Sequence, residues 1–190
     1  MLNNWRENTR DAQREKKYLL GFREEIADNS RELKRIIKLN EGKNKRFSRH
    51  VRMIAQNTYP PDSAASILGE MMRNFLFMPK TDTYVSITAS GNLNLISDFS
   101  LRRDLTVYYN KFKNIEIQED VYMDYIHDYV IPFVYEHVDI GTQLLDAPET
   151  SRSRAFRNLV VGYSALLRMN LQLYQSMAEL NEALQTRLDR

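Results

Sequence analysis

Cysteine is absent from this 190-residue chain, which removes disulfides, thiolate metal sites and thiol nucleophiles together and leaves the redox compartment open. Glycine and proline are scarce, with six and five residues, a frequency that fits helices joined by a few turns. No run of about 18 apolar residues occurs, so no segment reads as a membrane-spanning helix, and no signal peptide is read either. Nucleophile-elbow, phosphate-loop and zinc-protease motifs are missing. No recognition-helix motif or aromatic RNA-binding signature accompanies the basic residues, so nucleic acid is not an expected partner. The sequence therefore speaks for an architecture and not for a reaction.

What is present is apolar residues at helical spacing. Hydrophobic residues make up 43% of the chain, enough to build the core of one domain spanning residues 1–190. Leu19, Phe22, Ile26, Asn29, Leu33, Ile36, Asn40, Lys43, Phe47, His50 and Ile54 alternate three and four apart without a slip, the spacing of a coiled-coil seam. Gly21 and Gly42 weaken this helix without stopping it. Its polar seam positions, Asn29, Asn40, Lys43 and His50, suit a helix whose partners change along its length. The pair Pro60-Pro61 ends it. A second long helix, over 149–188, carries Phe156, Leu159, Tyr163, Leu167, Leu171, Tyr174, Met177 and Leu184 on one side. Between the two, helices are expected over 63–78, from about 82 to 90 with Gly91 as a left-handed cap, from Ser97 onward, and over 121–138 with a kink at Pro132. Short strands over 84–88 and 114–118 are a minor alternative. The expected fold is all-α: an elongated antiparallel helical bundle with long N- and C-terminal helices and three to four shorter ones between them.

The net charge of +2 hides a division along the chain. Residues 1–60 carry fifteen Lys or Arg against eight Asp or Glu, and residues 114–149 carry nine acids with no Lys or Arg. The two stretches are expected to shape one another's field, each exposed pair contributing about 0–1 kcal/mol. A functional use of the basic face would be binding of an anion or a partner at Lys34, Arg35, Lys38, Arg49 and Arg52. Arg152, Arg154 and Arg157 open the last helix, where its dipole disfavours cations, so an acidic face or a bound anion is expected beside them.

Asp120, Asp124, His127 and Asp128 share one helix face, and Asp124 with His127 has the spacing of metal sites in helical bundles. No second such pair exists. A solvated acidic face is the preferred reading, and no cofactor, metal or catalytic residue is assigned.

Two blocks carry a resemblance. Asn3-Asn4-Trp5-Arg6-Glu7-Asn8 followed by Arg14-Glu15-Lys16-Lys17-Tyr18-Leu19-Leu20 is one. Ser90-Gly91-Asn92-Leu93-Asn94-Leu95-Ile96-Ser97-Asp98, with Leu101, Arg102, Leu105, Tyr108 and Tyr109 after it, is the other. Together they resemble an uncharacterised family of Bacteroidetes proteins in which such a segment follows an N-terminal transmembrane helix, a domain of unknown function. The resemblance implies that this chain is the soluble part of a protein of the bacterial inner membrane, facing the periplasm, with residues 1–17 a membrane-proximal helical extension and 18–57 the long helix proper. Trp5 would then lie at the headgroup layer. It carries over no catalytic residue. The function expected is that of a non-enzymatic protein-interaction or assembly module, with a protein partner or a second copy of the chain as its ligand. The alternative is a small-molecule sensor whose tyrosine-rich helix lines a pocket with Met71, Met72 and Phe75.

Overall fold

The computed structural model describes the backbone of residues 2–189 and the side chains of residue 6 and residues 8–189. The side chain of Trp5 lies outside that set. The fold is all-α, with α1 (Leu2–Ala55) and α6 (Arg154–Leu188) as its long terminal helices. Between them come α2 (Ala64–Met71), α3 (Asp82–Ala89), α4 (Phe99–Tyr125) and α5 (Ile131–His137). The two-residue strands β1 (Val138–Asp139) and β2 (Leu144–Leu145) pair antiparallel, Val138 facing Leu145.

Residues 1–190, expected as one domain, divide into two compact units. Unit one comprises Met1–Arg35, Phe77–Asn114 and Tyr174–Arg190, and unit two comprises Ile36–Leu76 and Ile115–Leu173. Three of the four crossings between the units fall inside α1, α4 and α6, and the fourth, at Leu76–Phe77, falls in the stretch between α2 and α3, so linker composition does not announce the division. Residues 2–55 form one helix that is continuous from the extension 1–17 into the helix 18–57, in keeping with the single helical pattern of the sequence.

In unit one, Arg23 of α1 lies 3.0 Å from Asp189, and the Ile26 carbonyl accepts a hydrogen bond from Asn181 Nδ2 at 3.1 Å. Advancing along α1 thus means receding along α6, and the two run antiparallel. Phe22, Ile26 and Leu33 are buried with Tyr108, Tyr109 and Phe112 of α4 and Tyr174 and Met177 of α6. In unit two the core gathers Phe47, Ile67, Met71, Tyr122, Ile126, Phe133, Phe156 and Tyr163.

Several ends differ from expectation, each for a local reason. Helix α1 stops at Ala55, ahead of the prolines, because Asn57 takes the left-handed conformation (φ 55°). The Asn57 N–H then donates to Ile54 and the Thr58 N–H to Met53, the double closure of a Schellman motif. Helix α2 ends at Met71 instead of running to 78, since α1 side chains take the backbone carbonyls that follow. Asp98, expected in a first turn, is itself the cap of α4: its carboxylate accepts from the N–H groups of Ser100 and Leu101 at 2.9 and 3.0 Å. Helix α4 runs unbroken through 114–118, and 84–88 lies in α3, so neither minor strand forms. Pro132 neither ends nor merely kinks its helix. Its missing N–H is absorbed by a π-helical turn over Ile126–Val130, a usual accommodation of a disturbed helical ladder. Helix α6 starts at Arg154, where Ser153 Oγ accepts the Phe156 N–H at 3.0 Å, and Pro148–Arg152 forms a 3-10 turn before it.

Candidate functional site

Three of the four polar seam positions, Asn29, Asn40 and Lys43, bond the backbone of the stretch between α2 and α3, whereas the buried Nδ1 of His50 has no hydrogen-bond partner among the described residues. In unit two, Asn40 Nδ2 donates to the Phe75 carbonyl at 3.0 Å and the Lys43 ammonium donates to the Arg73 carbonyl. In unit one, Asn29 exchanges two bonds with the Lys80 backbone, 2.9 Å to its carbonyl and 2.7 Å from its N–H, and the Glu25 carboxylate accepts the Thr83 N–H at 2.7 Å. Apolar side chains at these positions could not have satisfied that backbone.

Lys43 is the unusual member. It is 1% exposed, and its Nζ lies 5.1 Å from the ring centroid of Tyr163 and 5.9 Å from that of Phe75. Aromatic faces stabilise a cation, but less well than water does. Burial, aided by Arg46 and Arg73 and opposed by Glu70, therefore lowers the Lys43 ammonium from its ordinary value of 10.5 to about 8. Beneath it the Tyr163 hydroxyl donates to the Met71 carbonyl at 3.1 Å and is hydrogen-bonded to the Tyr122 hydroxyl, so the buried tyrosine pair is satisfied by its own hydrogen bonds.

Lys43 faces a cleft of about 520 Å³ lined also by Arg46, Asp62, Ser66, Glu70 and Arg73. Arg46 is bound to Glu70 through its Nε at 2.7 Å. Arg73 and Asp62 are exposed and make no ion pair among the described residues. On the other flank of α2 lies a second cleft of about 480 Å³, lined by Leu68, Met72, Ile131, Val134, Tyr135 and Ile140 among others. Met72, Tyr135 and Ile140 keep 43%, 74% and 62% of their surface in water, an unusual expense for large side chains that lie together. Ala65, Gly69, Arg73 and Gln143 line both clefts. An added Cβ at Gly69 would meet no atom within 4 Å, so the α2 backbone is open there.

The residues singled out by sequence fall elsewhere. Lys34 and Arg35 belong to unit one, exposed and matched by Glu182 at 3.9 Å and Glu32 at 2.7 Å. Lys38, Arg49 and Arg52 belong to unit two and are exposed without an ion pair among the described residues. None of the five lines a cleft described here. Asp120, Asp124, His127 and Asp128 are all exposed, and among the described residues no group of three or more His, Asp or Glu could hold a metal ion. No ion pair joins Asp120, Asp124 or Asp128 to Arg152, Arg154 or Arg157. Arg152 and Arg157 instead line a cleft of about 370 Å³ with Tyr59 and Ser151. Of the residues expected in a sensor pocket, Met71 is core, whereas Met72 lines the apolar cleft and Phe75 the charged one. Sequence reading passed over Lys43 as a seam residue. A lysine at an apolar heptad position was the available signal. No protein-family model, curated protein or solved structure matches the chain.

Proposed function

We propose that this chain is a non-enzymatic binding module, the water-facing and periplasmic part of a membrane-anchored bacterial protein of the family it resembles, and that unit two takes a small ligand in the paired clefts across α2. The observation that carries this reading is the shared wall at Gly69, where a charged cleft and an apolar cleft adjoin over open helix backbone. Sites of this size with an apolar lining and a few polar groups are where small ligands bind. Assembly through the heptad seam, the other role read from the sequence, is not favoured, because Phe22, Ile26, Leu33, Ile36 and Phe47 are wholly buried within the chain itself. A partner chain would have to use a different face.

Nile red, an uncharged dye that brightens in apolar surroundings, tests the site. The wild-type chain is expected to enhance its emission, and Gly69→Phe, which adds a ring at the shared wall where an added Cβ meets no atom within 4 Å, is expected to abolish the enhancement. Equal emission with both proteins, or none with either, would sink the reading.

A further inference from the structure

Resting on that reading of the clefts, we infer that the ligand is an amphipathic monoanion, a single acidic head on an unbranched apolar chain, with the head between Lys43 and Arg73 and the chain lying along Leu68, Met72, Ile131, Val134 and Ile140.

The charges set the head. Five ionisable groups line the charged cleft, Lys43, Arg46 and Arg73 against Asp62 and Glu70. Arg46 and Glu70 satisfy one another. What is left is two cations, Lys43 and Arg73, and one carboxylate, Asp62, an excess of one positive charge. A head carrying one negative charge balances it. A doubly charged phosphate would keep an uncompensated charge next to Asp62, at a cost that rises in a partly desolvated cleft. The Lys43 ammonium spends one N–H on the Arg73 carbonyl and, only 1% exposed at the cleft edge, acts on the head chiefly through its charge. Arg73 brings a planar guanidinium suited to a carboxylate.

The apolar cleft sets the tail. Its aliphatic side chains gain nothing from water, and burying each methylene of a chain against them contributes about 0.8 kcal/mol. Because Ala65, Gly69, Arg73 and Gln143 border both clefts, head and tail meet over the one position of α2 with no side chain. Methionine at the cleft wall, here Met72, adapts to a flexible chain better than a branched residue does.

A proton is coupled to the event. Burial lowers the Lys43 ammonium to about 8, and it faces Glu70 and Arg46, Arg73 and the Tyr163 ring. An anion beside it favours the ammonium, so binding takes up a proton above that pH and weakens as pH rises further.

Calorimetric titration of the full chain with dodecanoate below its micelle threshold, dodecyl phosphate and dodecyltrimethylammonium separates the possibilities. Dodecanoate is expected to bind best at pH 7 and more weakly at pH 9.5. Lys43→Met, which removes a neighbouring positive charge, and the exposed Arg73→Gln, which removes a charge-assisted hydrogen bond, are each expected to weaken it about tenfold, with Lys43→Met also removing the pH dependence. Nile red enhancement should survive in both variants. Preference for dodecyl phosphate, equal binding of the cationic amphiphile, or unchanged dodecanoate affinity in Arg73→Gln would overturn the assignment while leaving the cleft intact as a site. Insensitivity of Nile red to Gly69→Phe would remove the site itself.

Discussion

A lysine at a heptad position usually weakens a core, and Lys43 shows what it can do instead. Its stem fills the seam while its ammonium closes the backbone at Arg73. The cost is visible in its lowered titration, to about 8 from 10.5. Between these two values the native state binds fewer protons than the unfolded chain, so the contribution of Lys43 to stability rises with pH through that window and is flat below it, where both states carry the proton. Compared with Lys43→Met, the wild type should gain about 1–2 kcal/mol between pH 8 and pH 10. Urea unfolding of both proteins at several pH values measures the difference, and the buried tyrosines, common to both, cancel. Asn40 makes a sharper test of the same idea. In a zipper, replacing a seam asparagine with leucine stabilises. Here Asn40→Leu strips the Phe75 carbonyl of its donor and should cost about 1–3 kcal/mol. A gain in stability would contradict the role given to the polar seam.

Helices α2 and α6 each contain a glycine, and the surroundings of each decide what alanine would do. At Gly69 nothing lies within 4 Å of an added Cβ, so Gly69→Ala should follow helix propensity and stabilise by up to about 1 kcal/mol. Gly162 lies under Tyr125, whose ring carbon Cζ would be 3.0 Å from the new Cβ and whose hydroxyl donates to the Leu159 carbonyl at 3.1 Å. Gly162→Ala must displace that ring, and overpacking of this kind costs about 1–3 kcal/mol. Thermal melting of the two variants should therefore shift in opposite directions. The same logic of local closure governs helix ends, where Asn57 stops α1 and Asp98 starts α4. The Leu101 N–H, the Arg187 guanidinium and Ser100 together hold the Asp98 carboxyl well below the usual carboxylate range, so this cap persists in mild acid and weakens only as pH falls through that low value.

For the molecule as a whole, the buried seam carries a prediction about assembly. Ile36 is fully buried by residues of its own chain, so a charge placed there is a folding defect and not a broken contact between chains. Ile36→Asp should lower the melting temperature steeply, by the several kcal/mol that an unpaired buried charge costs, and the drop should be the same at every protein concentration. Light scattering and melting across a hundredfold dilution check this, and a concentration-dependent loss would mean that the seam closes between copies. The charge division of the sequence is spent locally. Arg31 with Asp28 and Arg35 with Glu32 pair within one turn of α1, and Arg46 finds Glu70 of α2.

The sequence by itself determined the all-α class, the two long terminal helices, the left-handed Gly91 and the burial of the seam, because each rests on periodicity or on a single residue's backbone preference. It did not determine where α2 ends, because hydrogen bonds from Asn40 and Lys43 to the following stretch of backbone outweigh the helix propensity of residues 72–78. Tertiary structure alone decided the two units, since three of their four boundaries cut through helices that are locally uniform. It alone decided the candidate site as well. The five basic residues singled out as a binding face, Lys34, Arg35, Lys38, Arg49 and Arg52, are exposed, while the cleft was made by a lysine that looked like a flaw in the seam, a glycine that looked like a weak point in a helix, and apolar residues more than sixty positions away on α5. Proximity across such a distance is a property of packing, and no local pattern records it.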